Sequence, residues 1–191
     1  MKIEKLRKVT NFRFVNMFEL DYQDMKGQHK TWQFASRHQE PRCISRSFDA
    51  PDAVVIVPFH KEKNKLVVIK EFRVPLADYQ LGFPAGLIDT GETIEEAGKR
   101  ELNEETGLIL TRVLKKSPPV YSTSGLTDES VSLLYVECEG EVSNEHNESS
   151  EDISVQFLSP EECFSIINHT DLKIDVKTWL VLSSYAENGR L

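Results

Sequence analysis

The chain has 191 residues, of which 39% are hydrophobic and 28% are charged, and its formal net charge is −8. This is an ordinary globular composition, and the acidic balance argues against a nucleic-acid partner, because phosphate binding needs a basic surface. The three cysteines form neither a short-spaced metal motif nor an even set, so we expect reduced thiols in a cytoplasmic protein. The N-terminal stretch lacks the apolar region of a signal peptide, and no run of roughly 18 apolar residues predicts a membrane span.

The predicted elements, taken in chain order, favour a mixed α/β or α+β domain preceded by a small β unit. Residues 11–38 predict two strands with a turn at Gly27, and the proline-containing loop that follows is the expected boundary between residues 1–48 and 49–191. The runs AVVIVPF and KLVVIKEF predict a hairpin, and VSLLYVECEG and ISVQFLS predict later strands. Two C-terminal helices are predicted, with Ser159 and Asp175 as their N-caps. Such irregular alternation is typical of a layered domain.

A further helix is predicted within the segment GLIDTGETIEEAGKRELNEETGL. Thr93 followed by Glu96 predicts a capping box, and Gly107 is a natural C-terminal stop. Between these signals Glu101 and Glu105 fall on the side that faces the core. Inward carboxylates at i and i+4 repel each other, so a cation is expected to compensate, and hard oxygen ligands suit Mg²⁺. Helix geometry alone leaves open that both glutamates reach solvent from the edge of the apolar stripe.

The spacing of the whole segment resembles the Nudix box. Gly86, Glu92 and the run Arg100–Leu108 occupy its fixed positions, with five and seven residues in the two intervals. The resemblance implies a Nudix hydrolase with an α/β/α sandwich around a mixed sheet. Enzymes of this family cleave a nucleoside diphosphate linked to another group.

The same resemblance assigns roles to individual residues. It implies that Glu101 and Glu105 bind Mg²⁺, or Mn²⁺, together with the carbonyl of Ala85. Glu104 would assist, and Arg100 and Glu92 would orient the carboxylates. These residue types agree with the chemistry, because water attack on a highly charged diphosphate requires cations on its oxygens.

Most of the chain resembles the ADP-ribose pyrophosphatase subfamily. Glu71-Phe72-Arg73 precedes FPAGLID, and this pairing is similar to the subfamily pattern. It implies that Arg73 clamps the diphosphate, since a guanidinium can donate two parallel hydrogen bonds to phosphate oxygens. The alternative is a surface arginine at the end of a strand. The implied reaction releases AMP and ribose 5-phosphate from ADP-ribose, a small-molecule substrate.

The N-terminal unit is similar to the subfamily's small antiparallel sheet, which is exchanged across a homodimer. Phe14 and Trp32 match the positions that stack on adenine, and Arg37 matches an arginine that contacts the substrate. Flat aromatic rings suit stacking on a purine. The alternative is that Phe14 and Trp32 are core or interface aromatics, whereas Phe18 and Phe34 are expected in the core.

The segment from Glu137 to Asp152 is rich in Glu, Asn and Ser, which predicts an exposed loop. Its end, SSEDISV, resembles the mobile loop that supplies one more glutamate to the site. The matching residue is Glu151, expected to bind metal or water and to act as, or orient, the general base. Glu148 and Asp152 are the alternatives for this role.

Two positions depart from the subfamily pattern. Ser124 stands where proline is expected after the box, and Gly82 stands where a glutamate often precedes the FPAG stretch. Both put the identity of the terminal sugar in doubt. Hydrolysis of GDP-mannose or another nucleotide sugar, and a non-catalytic module that senses a nucleotide, are the two alternatives to ADP-ribose hydrolysis.

Overall fold

The computed structural model describes residues 1–145, 147, 152–169 and 171–191. The described residues form two compact units, residues 1–51 with 119–130 and residues 52–118 with 131–191. The segment 119–130 therefore groups with the first unit, whereas the sequence suggested one continuous domain from residue 49. The reason is hydrogen bonding inside the first unit, where Ala35 donates its N–H to the carbonyl of Leu126.

The helices and strands of the described residues alternate irregularly along the chain. In order they are β1 (Lys2–Lys8), β2 (Asn16–Gln23), β3 (His29–Ser36), α1 (Arg42–Ser45), β4 (Ala53–His60), β5 (Lys65–Arg73), β6 (Asp78–Gly82), β7 (Ala85–Leu87), α2 (Ile94–Thr106), β8 (Ile109–Lys116), β9 (Val120–Tyr121), β10 (Ser130–Glu139), β11 (Ile153–Leu158), α3 (Pro160–His169), β12 (Lys173–Ile174) and α4 (Val176–Asn188). No described helix combines the length and the apolar character needed to cross a membrane.

The first unit contains a three-stranded antiparallel sheet in the order β1-β2-β3. Gly27 makes the β2–β3 turn with a φ of 76°, a left-handed conformation that glycine adopts without a steric penalty. Phe18 and Phe34 are buried and stack at a centroid distance of 5.8 Å. Their predicted core position is confirmed, and so is the small antiparallel N-terminal sheet.

The second unit is built on a mixed sheet in the order β12-β6-β5-β4-β10-β8, with β7 beside β4 and β11 beside β5. β4 runs parallel to β10 and antiparallel to β5, as predicted for the hairpin. β11 pairs with β5 antiparallel. The predicted mixed sheet is therefore confirmed.

Helices cover both faces of this sheet. Val54 and Ile56 of β4 pack in one buried cluster with Ala97 and Leu102 of α2. Phe59 contacts Tyr185 of α4 edge to face, with ring centroids 6.3 Å apart. Even and odd positions of a strand point to opposite faces, so α2 and α4 lie on opposite sides. This is the layered α/β/α arrangement that the sequence predicted.

Candidate active site

The helix α2 begins and ends where its sequence signals predict. The Thr93 hydroxyl accepts from the Glu96 N–H, the Glu96 side chain accepts from the Thr93 N–H, and Gly107 ends the helix in the left-handed conformation. Gly98 allows close packing, because a Cβ there would lie 2.4 Å from Cδ2 of Leu134 on β10. The helix is therefore held tightly against the sheet.

Two of these inward side chains are Glu101 and Glu105. Glu105 is 5% exposed, and the side chain of Glu101 is 12% exposed. The Ala85 N–H donates to Oε2 of Glu105 at 3.2 Å. A Cβ on Gly86 would lie 1.8 Å from Oε1 of Glu101. Both carboxylates therefore lie against the peptide of β7, and the absence of a side chain at Gly86 makes room for one of them.

The carbonyl of Ala85 lies on the same side of its strand as these carboxylates. The hydrogen bonds from Ile56 N to Pro84 O and from Ile88 N to Asp52 O flank the β4–β7 ladder. In an antiparallel ladder, hydrogen-bonded residue pairs alternate with pairs that are not hydrogen-bonded to each other. Val55 and Ala85 are adjacent to the hydrogen-bonded pair of Ile56 and Pro84, so they form a non-hydrogen-bonded pair. The N–H and C=O of Ala85 therefore both point away from β4, and the N–H already reaches Glu105.

Arg100 connects the carboxylates around the start and middle of α2. Its Nε and Nη2 donate to Glu92 at 3.0 and 2.9 Å, and its Nη1 donates to Glu101 at 2.6 Å and to Glu104 at 3.2 Å. Nη2 also donates to the carbonyl of Leu87 at 3.0 Å. Arg100 lowers the pKa of the Glu92 carboxyl, and Glu92 is in turn the main cause that raises the pKa of Arg100. The guanidinium therefore fixes the orientation of the Glu101 carboxylate.

This arrangement fits a divalent cation. Three carboxylates pair with the Arg100 guanidinium, so negative charge is in excess, and the oxygens of Glu101, Glu105 and the Ala85 carbonyl are hard ligands. Within the described residues, no group of three or more His, Cys, Asp or Glu side chains has a metal-binding arrangement. The candidate cation ligands are therefore two inward carboxylates, Glu101 and Glu105, and the backbone oxygen of Ala85.

Comparisons with known proteins identify the family of the chain. A family model described as NUDIX domain matches residues 49–180. The chain belongs to the Nudix family. A Nudix relative from Caenorhabditis elegans is 31% identical over 170 residues, which are 85% of this chain and 74% of the relative. An ADP-ribose pyrophosphatase of Saccharomyces cerevisiae is 29% identical over 168 residues, 86% of this chain and 68% of that protein.

The fold has a solved counterpart. The crystal structure of an ADP compounds hydrolase aligns with a TM-score of 0.71 and 21% identity, over 98% of this chain and 95% of that chain. At this identity the likeness concerns the fold alone. It agrees with the Nudix sandwich and the small N-terminal sheet described above.

Arg73, the predicted diphosphate clamp of this Nudix chain, ends strand β5. Its Nη1 donates to Oε1 of Glu71 at 2.8 Å, and its side chain is 50% exposed. This pair was not predicted from the sequence, although its spacing of two residues on one strand is a signal for it, because such residues share a face.

The predicted loop base, Glu151, and its alternative Glu148 lie outside the described residues. The other alternative, Asp152, accepts a hydrogen bond from the Tyr79 hydroxyl, and its carbonyl accepts from Phe72 N at 3.0 Å. Phe72 and Tyr79 are register partners whose rings meet edge to face. Val67 of β5 packs with α2, and Phe72 lies an odd number of residues further along the strand, so its ring points to the opposite face. Tyr79 shares that face with Phe72. Asp152, which accepts the Tyr79 hydroxyl, therefore lies on the face of the sheet away from α2.

The predicted base-binding residues all lie in the first unit. Phe14 is exposed and stacks under the Arg13 guanidinium, 4.8 Å from its carbon to the ring centroid. Trp32 is about half exposed, and its Nε1 donates to Gly125 O at 3.1 Å. Arg37 donates from Nε to Glu129 at 2.9 Å. Their roles toward a substrate stay predictions of the Nudix resemblance.

Proposed function

We propose that this chain is a Mg²⁺-dependent pyrophosphatase of ADP-ribose or a related nucleoside diphosphate sugar. Water adds to one phosphorus and the P–O bond to the bridging oxygen breaks, so ADP-ribose gives AMP and ribose 5-phosphate. The observation that carries this proposal is the position of the Glu101 and Glu105 carboxylates against the Ala85–Gly86 peptide. The name of the yeast relative, whose alignment covers 86% of this chain, supports the substrate.

The proposal gives each described residue a distinct task. Glu101, Glu105 and the Ala85 carbonyl hold the divalent cation, and Mn²⁺ fits the same oxygen ligands. When bound, the cation supplies positive charge to the diphosphate oxygens and favours attack by water. Arg100 keeps the Glu101 carboxylate in place. Arg73 donates hydrogen bonds to the diphosphate and aligns it for attack.

The proton of the attacking water needs an acceptor. Glu151 is the proposed acceptor, on the resemblance of its segment to the subfamily loop, and Glu148 is the first alternative. Asp152 is a weaker alternative, because its carboxylate accepts the Tyr79 hydroxyl on the face away from α2.

The first unit is proposed to bind the nucleoside and to form a homodimer in the cytoplasm. Phe14 and Trp32 offer exposed aromatic rings for stacking on adenine, and Arg37 orients the base. The homodimer is proposed on the resemblance of this three-stranded sheet to the N-terminal sheet that the subfamily exchanges between two copies.

The test of this function is the release of monophosphates by the purified chain with Mg²⁺. We expect AMP and ribose 5-phosphate from ADP-ribose, and Glu105→Gln, which is isosteric, should lower kcat by about 100-fold or more. Glu95→Gln is the matched control, because Glu95 lies on the same helix but pairs with Lys116 at the surface. It should keep activity within about twofold, since exposed ion pairs contribute little.

The outcomes separate the alternatives. Cleavage of GDP-mannose in preference to ADP-ribose would show that the substrate is another nucleotide sugar, and the proposed hydrolysis of the diphosphate would still hold. Tight binding of ADP-ribose without cleavage, in the presence of Mg²⁺ or Mn²⁺, would favour a sensor. Activity of Glu105→Gln close to that of the wild type would contradict the role of Glu105 in cation binding.

A further inference from the structure

A surface cavity of about 500 Å³ lies beside Arg73 in the second unit. Its lining comes from the end of β5, the middle of β6 and the turn between them. The volume is within the range of small-molecule sites. The cavity is separate from the cluster of carboxylates on α2, none of whose side chains line it.

The polar residues that β5 contributes to the cavity lie on the side of the sheet that carries α2. Val67 of β5 packs with the α2 core, and Glu71 and Arg73 share its strand parity, so they point to the same face. Gln80 is the register partner of Glu71 on β6, which places the two side chains next to each other. Gln80 also precedes Ala85 by five residues, so an extended chain of at most about 17 Å separates it from the proposed cation ligand.

The polar groups of the cavity have unused hydrogen-bonding capacity. A guanidinium carries about five N–H donors, and Arg73 gives one of them to Glu71. Among the described residues, the side-chain amide of Gln80 has no hydrogen-bond partner. Glu71 offers a second carboxylate oxygen as an acceptor, because its bond to Arg73 uses Oε1.

The remaining wall is apolar and open to solvent. Val74 is 78% exposed and Leu76 is 47% exposed, and both line the cavity with Phe72 and Pro75. A sugar has hydroxyls at its edge and C–H groups on its faces. The Glu71 carboxylate and the Gln80 amide can bind the hydroxyls, and the aliphatic side chains on the other side of the cavity can pack against the C–H groups. A guanidinium at the rim matches the phosphate attached to that sugar.

We propose that Glu71 and Gln80 bind the terminal sugar of the substrate and determine which sugar is accepted. This inference rests on the proposed function, because it takes Arg73 as the ligand of the diphosphate. The sugar enters the cavity with its hydroxyls toward Gln80 and Glu71, and with a C–H face against Val74 and Leu76. Residues 71 and 80 then discriminate between sugars without taking part in the chemical step.

The test compares the two products as inhibitors of ADP-ribose cleavage. Gln80→Ala and Gln80→Met both remove the amide, and the methionine keeps the length of the side chain. Loss of one uncharged hydrogen bond corresponds to about three- to tenfold. We therefore expect both variants to raise Ki for ribose 5-phosphate by this factor while Ki for AMP stays within about twofold. KM for ADP-ribose should rise by a similar factor, with kcat nearly unchanged.

Lys70→Met is the matched control, because Lys70 lies on the same hairpin but covers the ring of Tyr79 on the opposite face. It should leave both Ki values unchanged. The inference is overturned if the Gln80 variants, with a wild-type melting temperature, leave Ki for ribose 5-phosphate unchanged or raise both Ki values equally. A wild-type chain that cleaves no nucleoside diphosphate sugar would instead overturn the proposed function, so the two failures are distinguishable.

Discussion

Replacing Gly86 by alanine adds one methyl group at the closest contact of the proposed cation site. The new Cβ would lie 1.8 Å from Oε1 and 2.0 Å from Cδ of Glu101. Ordinary contact begins at 3.4 Å, so the carboxylate has to withdraw by about 1.6 Å. The carboxylate is the end of a flexible side chain, and the φ of Gly86 is not positive. The backbone therefore tolerates alanine, and the cost falls on the position of Glu101.

The size of the effect follows from this displacement. A misplacement of about 1 Å in a reacting arrangement can cost about 100-fold in rate, which corresponds to about 2.7 kcal/mol in the activation barrier. We expect Gly86→Ala to lower kcat for ADP-ribose by about 100-fold with Mg²⁺. The melting temperature should stay within a few degrees of wild type.

A double-mutant cycle with Glu101→Ala shows whether the added methyl group acts through Glu101. If it does, the double variant is no slower than Glu101→Ala alone, because the displaced group is already absent. Additive losses in the cycle would refute the reasoning. So would a Gly86→Ala enzyme with wild-type kcat.

Three further expectations concern acid stability, the nucleoside site and assembly. Arg100 holds the pKa of Glu92 in the folded state below its ordinary value of 4.5. The ionised carboxyl therefore stabilises the fold above pH 4.5, and this stabilisation is lost as the pH falls through the pKa of the folded state. Glu92→Gln should therefore melt below wild type at pH 7, with a gap that closes on acidification, and a gap independent of pH down to acid unfolding would contradict the pairing. Trp32→Ala should raise KM for ADP-ribose substantially with a smaller effect on kcat, because a stacked base is bound equally in the ground and transition states. If the variant is stable and dimeric and its KM for every nucleotide sugar is unchanged, Trp32 does not stack on the base. Sedimentation should give a dimer, and an active monomer at micromolar concentration would count against an exchanged N-terminal unit.

The sequence predicted the helix of the site well because its signals are local. Thr93, Glu96 and Gly107 act within one turn of the helix ends, and the structure confirms all three. The 3.6-residue period was enough to place Glu101 and Glu105 inward. The contact between Gly86 and Glu101 was not predictable in this way, because it depends on how closely a strand and a helix approach each other.

Strand β1 was missed for a physical reason. Its apolar residues, Ile3 and Leu6, are three positions apart, which does not fit strand alternation. The register shifts between Ile3 and Lys5, so that Ile3 pairs with Tyr22 and Leu6 pairs with Leu20 on one face of β2. A bulge adds one residue to a strand and so hides the period from the sequence.

The edge strand β8 was missed because nearly all of its side chains are exposed, so no buried face marks its sequence. The pairings of Tyr79 with Asp152 and of Trp32 with Gly125 join residues more than 70 positions apart. Such long-range contacts depend on the tertiary fold, and a single sequence carries no local signal for them.

The proposed cation ligands, Glu101, Glu105 and the Ala85 carbonyl, lie within a short stretch of chain. The strand β7 and the helix α2 that carry it span residues 85–106 and are joined by six residues. Closing so short a loop costs little entropy, so this part of the site can form from local contacts. The cavity at Arg73 and the aromatic residues of the first unit lie outside this stretch. Under the proposed function, mutations elsewhere in the chain can therefore change the sugar or the base that is accepted, while residues 85–106 stay the same.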